Sequence, residues 1–383
     1  MQNIEKMRSF SIEKIREDDI KKVNCLNTKK ISFPHIGNYH VPVENLLKLI
    51  FTECEIMPPP PITKKTLELG SKYSPDFICV PFKYNIGNYI EALENGANVL
   101  IQAGGGCRFG YYGEVQEQIL RDIGYEFEFI NLFDSDNMSP FSLYKTCRNL
   151  GSRISFYRFI YSFLLTIKIV HYMDRIEKYI RENIGFEAAA GSFEKLHRKL
   201  LRELKEVPSL RKFKEIERIY NRKFSEVKVD KPENILKVGL VGELYTLMEP
   251  FSNFFLEKEL AKNNIMITRF ITVTYLLFEK QKTAGKILNE AGDYLKYALG
   301  ADGTDSVAKS RTLAERGYDG IIHVKPFGCT PEVNAMPMIQ RVSKDYKIPV
   351  LYFSFDSQTS ETGVKTRLEA FYDMISMRRK GSL

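Results

Sequence analysis

Two blocks of short apolar runs, each run followed by a stretch of helix length, restrict this chain more than any other feature. In the first block Ile31–Gly37, Asp76–Val80 (DFICV), Asn98–Gln102 (NVLIQ) and Glu126–Leu132 read as strands. Between them the pattern predicts helices over Val43–Thr52, Thr63–Leu69 closed by Gly70, Asn85–Gly96 and Glu114–Gly124, with Pro58–Pro61 as a stiff connector. In the second block Ile235–Val241, Ile265–Ile271, Gly320–Val324 and Pro349–Ser354 alternate with helices over 249–263, 305–316, 331–345 and 362–377. Strands and helices in alternation imply parallel sheets covered on both faces.

Between the blocks the period changes. Phe156, Phe159, Ile160, Phe163, Leu164 and Ile167 recur at helical spacing, and Gly185, Gly191 and Pro208 divide the segment into three or four helices. The expected plan is α/β, with two Rossmann-like parallel-sheet domains separated by a helical insert. Its boundaries fall at 1–27 (an N-terminal helical extension), 28–139 (first α/β domain), 140–232 (basic helical insert) and 233–383 (second α/β domain). A chain of 383 residues is long enough for two or three cores.

Charge is concentrated in the insert. From Lys145 to Lys231 there are 21 Lys/Arg against 11 Asp/Glu, whereas the remainder holds 35 against 37. A solvated helical face accounts for such an excess, as does attraction for an anionic partner, an acyl-CoA-type ligand or an acidic protein surface. No nucleic-acid motif accompanies the charge, so nucleic acid is not expected. The most apolar long stretch, Ile154–Met173, is interrupted by Arg158 and Lys168, so a buried or amphipathic helix is expected there and no membrane span. No secretory signal pattern is visible, and a cytoplasmic location is expected.

Six cysteines without a secretion signal argue against a disulfide framework. No CxxC or HxxxH pattern occurs, so a metal site here must be assembled from distant segments. Ligands of open parallel sheets bind just beyond the carboxyl ends of the strands, and three cysteines read as lying there. Cys79 ends DFICV. Cys107 sits in the glycine loop after NVLIQ. Cys329 follows GIIHV in KPFGCTPE. Three thiolates meeting in one interdomain cleft suit a soft-ligand site, an iron–sulfur cluster foremost. Buried cysteines packed as small apolar side chains explain the same residues equally well. Cys25, Cys54 and Cys147 receive no role. GGGCRFG matches neither the P-loop nor the dinucleotide fingerprint.

The phrases VPFKYNIGNYIEAL, GGGCRFGYYGEVQEQILRDIGY, VGLVGELYTLMEPF, KPFGCTPE and QTSETGVKTRLEAF resemble the 2-hydroxyacyl-CoA dehydratase superfamily, in particular its single-chain branch labelled CoA-protein activase or activase-related. The resemblance runs from about Pro34 to Ile375, interrupted by the helical insert. It implies a [4Fe-4S]-type cluster, or a larger iron–sulfur cluster, between two Rossmann-like domains, with Cys79, Cys107 and Cys329 as ligands. It also implies anaerobic chemistry on a 2-hydroxyacyl-CoA, started by one electron from an ATP-hydrolysing iron–sulfur activator of actin/Hsp70-like fold. A homodimer, or a heterodimer with a related subunit, goes with it.

Around these ligands, Arg108, Tyr111 and Tyr112 flank Cys107 and are placed to donate to cluster sulfides or a thioester carbonyl, or the two tyrosines pack the loop. Lys83 and Lys325 are placed to offset cluster charge. Glu332 begins a helix, where capping is its ordinary role. Gln358 and Glu361 follow a strand end and face the cleft, or Glu361 pairs with Arg367. Three functions remain open at this point: a dehydratase-like lyase or enzyme component, an electron carrier or reductase acting on another small molecule, and a non-catalytic α/β binding or assembly protein.

Overall fold

A computed structural model describes residues 29–102, 109–132 and 139–381. The N-terminal extension 1–27, with Cys25, lies outside the described residues. The first sheet is built from β1 (Lys30–Ser32), β2 (Glu55–Ile56), β3 (Val99–Gln102) and β4 (Glu128–Asn131). The second is built from β5 (Leu236–Gly242), β6 (Ile265–Arg269), β7 (Gly320–Pro326) and β8 (Val350–Phe355). Every pairing is parallel, and the orders are β2-β1-β3-β4 and β6-β5-β7-β8. The expected fold class is therefore the observed one.

The two sheets repeat one connection scheme. After β1 comes α1 (His40–Ile50), and two helices, α2 (Lys64–Tyr73) and α3 (Val80–Glu94), lie between β2 and β3. Then α4 (Phe109–Asp122) links β3 to β4. Four helices follow: α5 (Pro140–Asn149), α6 (Phe156–Asn183), α7 (Ser192–Leu204) and α8 (Leu210–Ser225). In the second unit α9 (Leu244–Met248) and α10 (Leu256–Ala261) lie between β5 and β6. Two helices, α11 (Lys280–Ala291) and α12 (Gly303–Glu315), again precede the third strand, and α13 (Thr330–Tyr346) follows it. The chain then forms β8 and α14 (Glu361–Arg379).

Several local expectations change. DFICV is not a strand: Asp76–Ile78 form a loop, Cys79 is the N-cap of α3, and Pro81 occupies its first turn. The proline favours that turn because it needs no N–H there, and Phe77, 90% exposed, has no sheet to cover it. Gly70 does not close α2, which continues to Tyr73. Its role is close approach: a Cβ on Gly70 would stand 1.7 Å from the Lys83 carbonyl oxygen, and one on Gly87 would stand 1.9 Å from that of Thr66. These two glycines let α2 and α3 touch backbone to backbone, which fixes where α3 begins. The helix expected over 249–263 is broken at Phe254 and Phe255, both in the left-handed region (φ 53° and 57°). A π-turn at Tyr275–Glu279 running into α11 was not expected.

The core joins all three parts. One cluster contains Tyr39, Val41 and Tyr84 of the first unit, Leu165, Ile169 and Ile176 of α6, and Val238, Leu240 and Val324 of the second unit. The segment after β1 is the common junction. Gly37 N–H donates to Glu249 Oε2 at 2.7 Å, and His35 Nδ1 lies 2.7 Å from the same oxygen. Asn38 donates to Glu177, and Tyr39 OH donates to Asp174, whose other oxygen accepts Thr274 N–H at 2.8 Å. Beneath them Arg269 meets Glu257 at 3.1 Å and Glu177 at 3.6 Å. Burial alone would raise the Glu177 carboxyl, but His197, Arg181 and Arg269 outweigh it and hold the group below the usual carboxylate range. Among the described residues no helix is long and apolar enough to cross a membrane.

Candidate functional site

Helices between parallel strands run back against them, so the N-termini of α3, α12 and α13 lie at the edge where the strands end. Cys79 caps α3 and Cys329 caps α13. The two units bring these caps together: a Cβ built on Gly328 would lie 3.9 Å from the Phe77 carbonyl oxygen. Both cysteines are half-buried, and the charge of Cys79 is among those that raise the Cys329 thiol. Burial is the first cause of that rise. Glu243 and Glu332 add to it, while the Glu332 N–H, aimed at the sulfur without closing a full cap, opposes it. A thiol held this way needs a cation or metal to carry charge at neutral pH.

Cys107 and Arg108 lie outside the described residues, as does the rest of their loop, 103–108. Among the described residues no group of three or more His, Cys, Asp or Glu is placed to hold a metal ion. The described part of the site is the Cys79–Cys329 pair and its surroundings. Tyr112 OH lies 3.7 Å from Cys79 Sγ, with its ring edge-on to Phe82 at 4.7 Å. The tyrosine thus packs against α3 and sets its hydroxyl beside the Cys79 sulfur.

Lys83, buried one turn into α3, donates to the Asp76 carbonyl at 3.2 Å and so ties down the loop ahead of Cys79. Lys325 donates to Ser354 Oγ at 2.9 Å. Burial lowers its ammonium from the usual range, and Cys329 and Glu332 pull it back up. Glu332 turns inward: its carboxylate accepts Ser306 Oγ–H at 3.1 Å and lies 2.6 Å from His323 Nε2. Gln358 and Glu361 are exposed. Glu361 pairs with Lys365 at 2.7 Å and not with Arg367, whose guanidinium donates to the Tyr352 carbonyl. An i,i+4 lysine on the same helix face is simply nearer.

Two residues at this edge had no place in the sequence reading. Glu243 caps α9, accepting the N–H groups of Tyr245 and Thr246 and the Thr246 hydroxyl. Burial, with Asp302 as a further cause, pushes its carboxyl up to about 7 despite those bonds. His323 is the other, fully buried in β7. Asp302, the N-cap of α12, accepts Leu244 N–H at 3.1 Å and pairs with Lys280, which also reaches Asp305 at 3.5 Å. Cys54 lies apart in the first unit's core, and burial pushes Cys147 there up to about 12.

Comparison with known proteins reaches the second unit. Residues 304–375, from α12 through β7, α13 and β8 into α14, match the family model of 2-hydroxyglutaryl-CoA dehydratase, D-component. That segment contains Cys329, Lys325, Glu332 and His323. No curated protein matches the chain.

Proposed function

We propose, from the match of residues 304–375 to the dehydratase D-component model, that the chain belongs to the 2-hydroxyacyl-CoA dehydratase superfamily and is an iron–sulfur protein related to dehydratase components. In this reading Cys79, Cys107 and Cys329 hold a [4Fe-4S]-type cluster in the cleft between the units, for low-potential one-electron chemistry on an acyl-CoA-like substrate. The observation that carries it is the meeting of Cys79 and Cys329. The two come from separate sheets, cap separate helices, and lie near enough for one sulfur's charge to act on the other. Cys79 also packs against the core cluster of Phe82, Ile86 and Tyr112, but that packing does not account for Cys329 lying close enough to feel its charge.

The donor set suits the group. Thiolates without a competing histidine favour iron–sulfur over hard cations. When bound, such a cluster would supply single low-potential electrons, and three protein thiolates would leave one iron open to a ligand. The chain's own residues do the rest. Lys83 fixes the approach to Cys79, Lys325 places a cation beside Cys329, and Tyr112 sets its hydroxyl against Cys79 Sγ. Glu243 is the nearby group able to hold or release a proton close to neutrality. Electron supply falls to an ATP-hydrolysing activator, and the protein works as a homodimer or beside a related subunit.

Anaerobic purification with iron and sulfide assays tests the reading. The expected result is a brown protein with about four irons per chain, lost on Cys79→Ala, Cys107→Ala or Cys329→Ala. A colourless protein whose cysteine variants behave like the parent would instead identify a non-catalytic α/β protein with core cysteines.

A further inference from the structure

The strand β7 carries all seven of its residues buried, yet two of them, His323 and Lys325, are polar. Lys325 is accounted for by Cys329 and Ser354. His323 is not, because it lies deeper in the sheet, with none of its side chain reaching solvent. Its Nε2 meets Glu332 Oε2 at 2.6 Å, and both side chains are fully shielded from solvent. Its Nδ1 has no hydrogen-bond partner among the described residues. Taking an imidazole and a carboxylate out of water costs more than packing two apolar side chains in the same volume. Stability therefore does not explain the pair.

Its geometry does. Glu332 is the third residue of α13, and its carboxylate is held from two sides, by His323 on β7 and by Ser306 on α12. Clamping that side chain fixes the first turn of the helix, and with it the direction of the Glu332 N–H, which is aimed at Cys329 Sγ. The turn also lies tight against the start of α12: a Cβ on Gly303 would stand 2.5 Å from the Pro331 carbonyl oxygen. We infer that His323, acting through Glu332, is a positioning residue that sets the orientation of Cys329 toward the cleft. This deepens the reading above and rests on it only in treating Cys329 as a ligand.

The test uses the full chain stripped of metal by a chelator, so that it does not depend on what the site binds. Iodoacetamide alkylation is followed by peptide mass mapping, and the ratio of the Cys329 rate to the Cys79 rate is read. His323→Ala is expected to change that ratio by about tenfold, the weight of one charge-assisted hydrogen bond. His323→Gln, whose amide N–H still reaches Glu332, is expected to restore it to within about threefold of the parent on the same scale. Glu332→Gln keeps the side-chain shape and serves if His323→Ala does not fold; it is expected to move the ratio in the same direction. A ratio unchanged in His323→Ala or Glu332→Gln, or no rescue by His323→Gln, would overturn the inference and leave His323 a packing residue. Absence of iron in the parent chain, with the ratio still responding, would sink the cluster reading and spare this one.

Discussion

The two sheet units share a strand order and a connection scheme, yet they furnish the same edge with different chemistry. In the first unit the N-cap of the second helix before the third strand is Cys79; in the second unit the corresponding N-cap is Asp302. The loops after the third strands also correspond, and each carries a cysteine, Cys107 in one and Cys329 in the other. Around Asp302 lie Lys280, Asp305 and Tyr275, joined by ion pairs and hydrogen bonds. Among the described residues, one unit thus places the Cys79 thiol at this edge, and the other places the Cys329 thiol with carboxylates and a lysine around it. The lesson is that backbone topology supplies the positions, while the residue at each helix N-terminus decides the chemistry.

Breaking the junction between the units has the largest expected effect. Arg269→Ala takes one of two guanidinium groups from the buried Glu177, Arg181 remaining at 3.6 Å, and removes the donor to the Leu247 carbonyl; a loss of about 3 kcal/mol in chemical denaturation is expected. Disturbing the first unit alone comes next. Gly87→Ala drives a Cβ into the Thr66 carbonyl, displaces α3 and should cost about 1–3 kcal/mol or more. Because α3 begins at Cys79, iron content should fall with it, whereas Gly285→Ala, with open space around it, should leave both unchanged.

The acidic side of the cleft offers a pH test. Glu243 has its carboxyl raised in the fold from 4.5 to about 7, so the folded state holds that proton more tightly than the unfolded chain. Its contribution is therefore fully present below about pH 4.5 and lost as pH rises through about 7. Glu243→Gln stays neutral throughout, and its urea midpoint should vary less with pH over that window than the parent's. A profile as steep as the parent's would remove Glu243 from this account. The smallest effect is expected at Tyr112→Phe, which removes only the hydroxyl 3.7 Å from Cys79 Sγ. Stability should hold to within about 1 kcal/mol, and any change should appear in the reactivity of Cys79 and not of Cys329.

Much of this was legible in the sequence, for a physical reason. Strands of parallel sheets are buried on both faces and read as unbroken apolar runs, which is why NVLIQ, the run from Leu236 and GIIHV fell where they do. DFICV misled because a short apolar run looks the same in a loop, and only Pro81 hinted that a helix starts there. The two-residue β2 was too short to leave a pattern. At the site, Cys79 and Cys329 stood out because both were read as lying at strand ends; Cys329 does follow β7, whereas Cys79 follows a loop and owes its place to the start of α3. His323 did not, since a histidine inside an apolar strand announces nothing until its partner, nine positions on, is seen across a loop. Glu243, after Gly242, drew no attention; burial, which the sequence does not show, makes it unusual.

The central claim is that thiolates from both units converge on one cleft to bind iron. Anomalous scattering at the iron absorption edge, from crystals grown and kept without oxygen, addresses it most directly. The account predicts an iron peak bounded by the sulfurs of Cys79, Cys107 and Cys329. A well-diffracting crystal with no iron between those sulfurs, or with one of the three pointing away from the others, would contradict it.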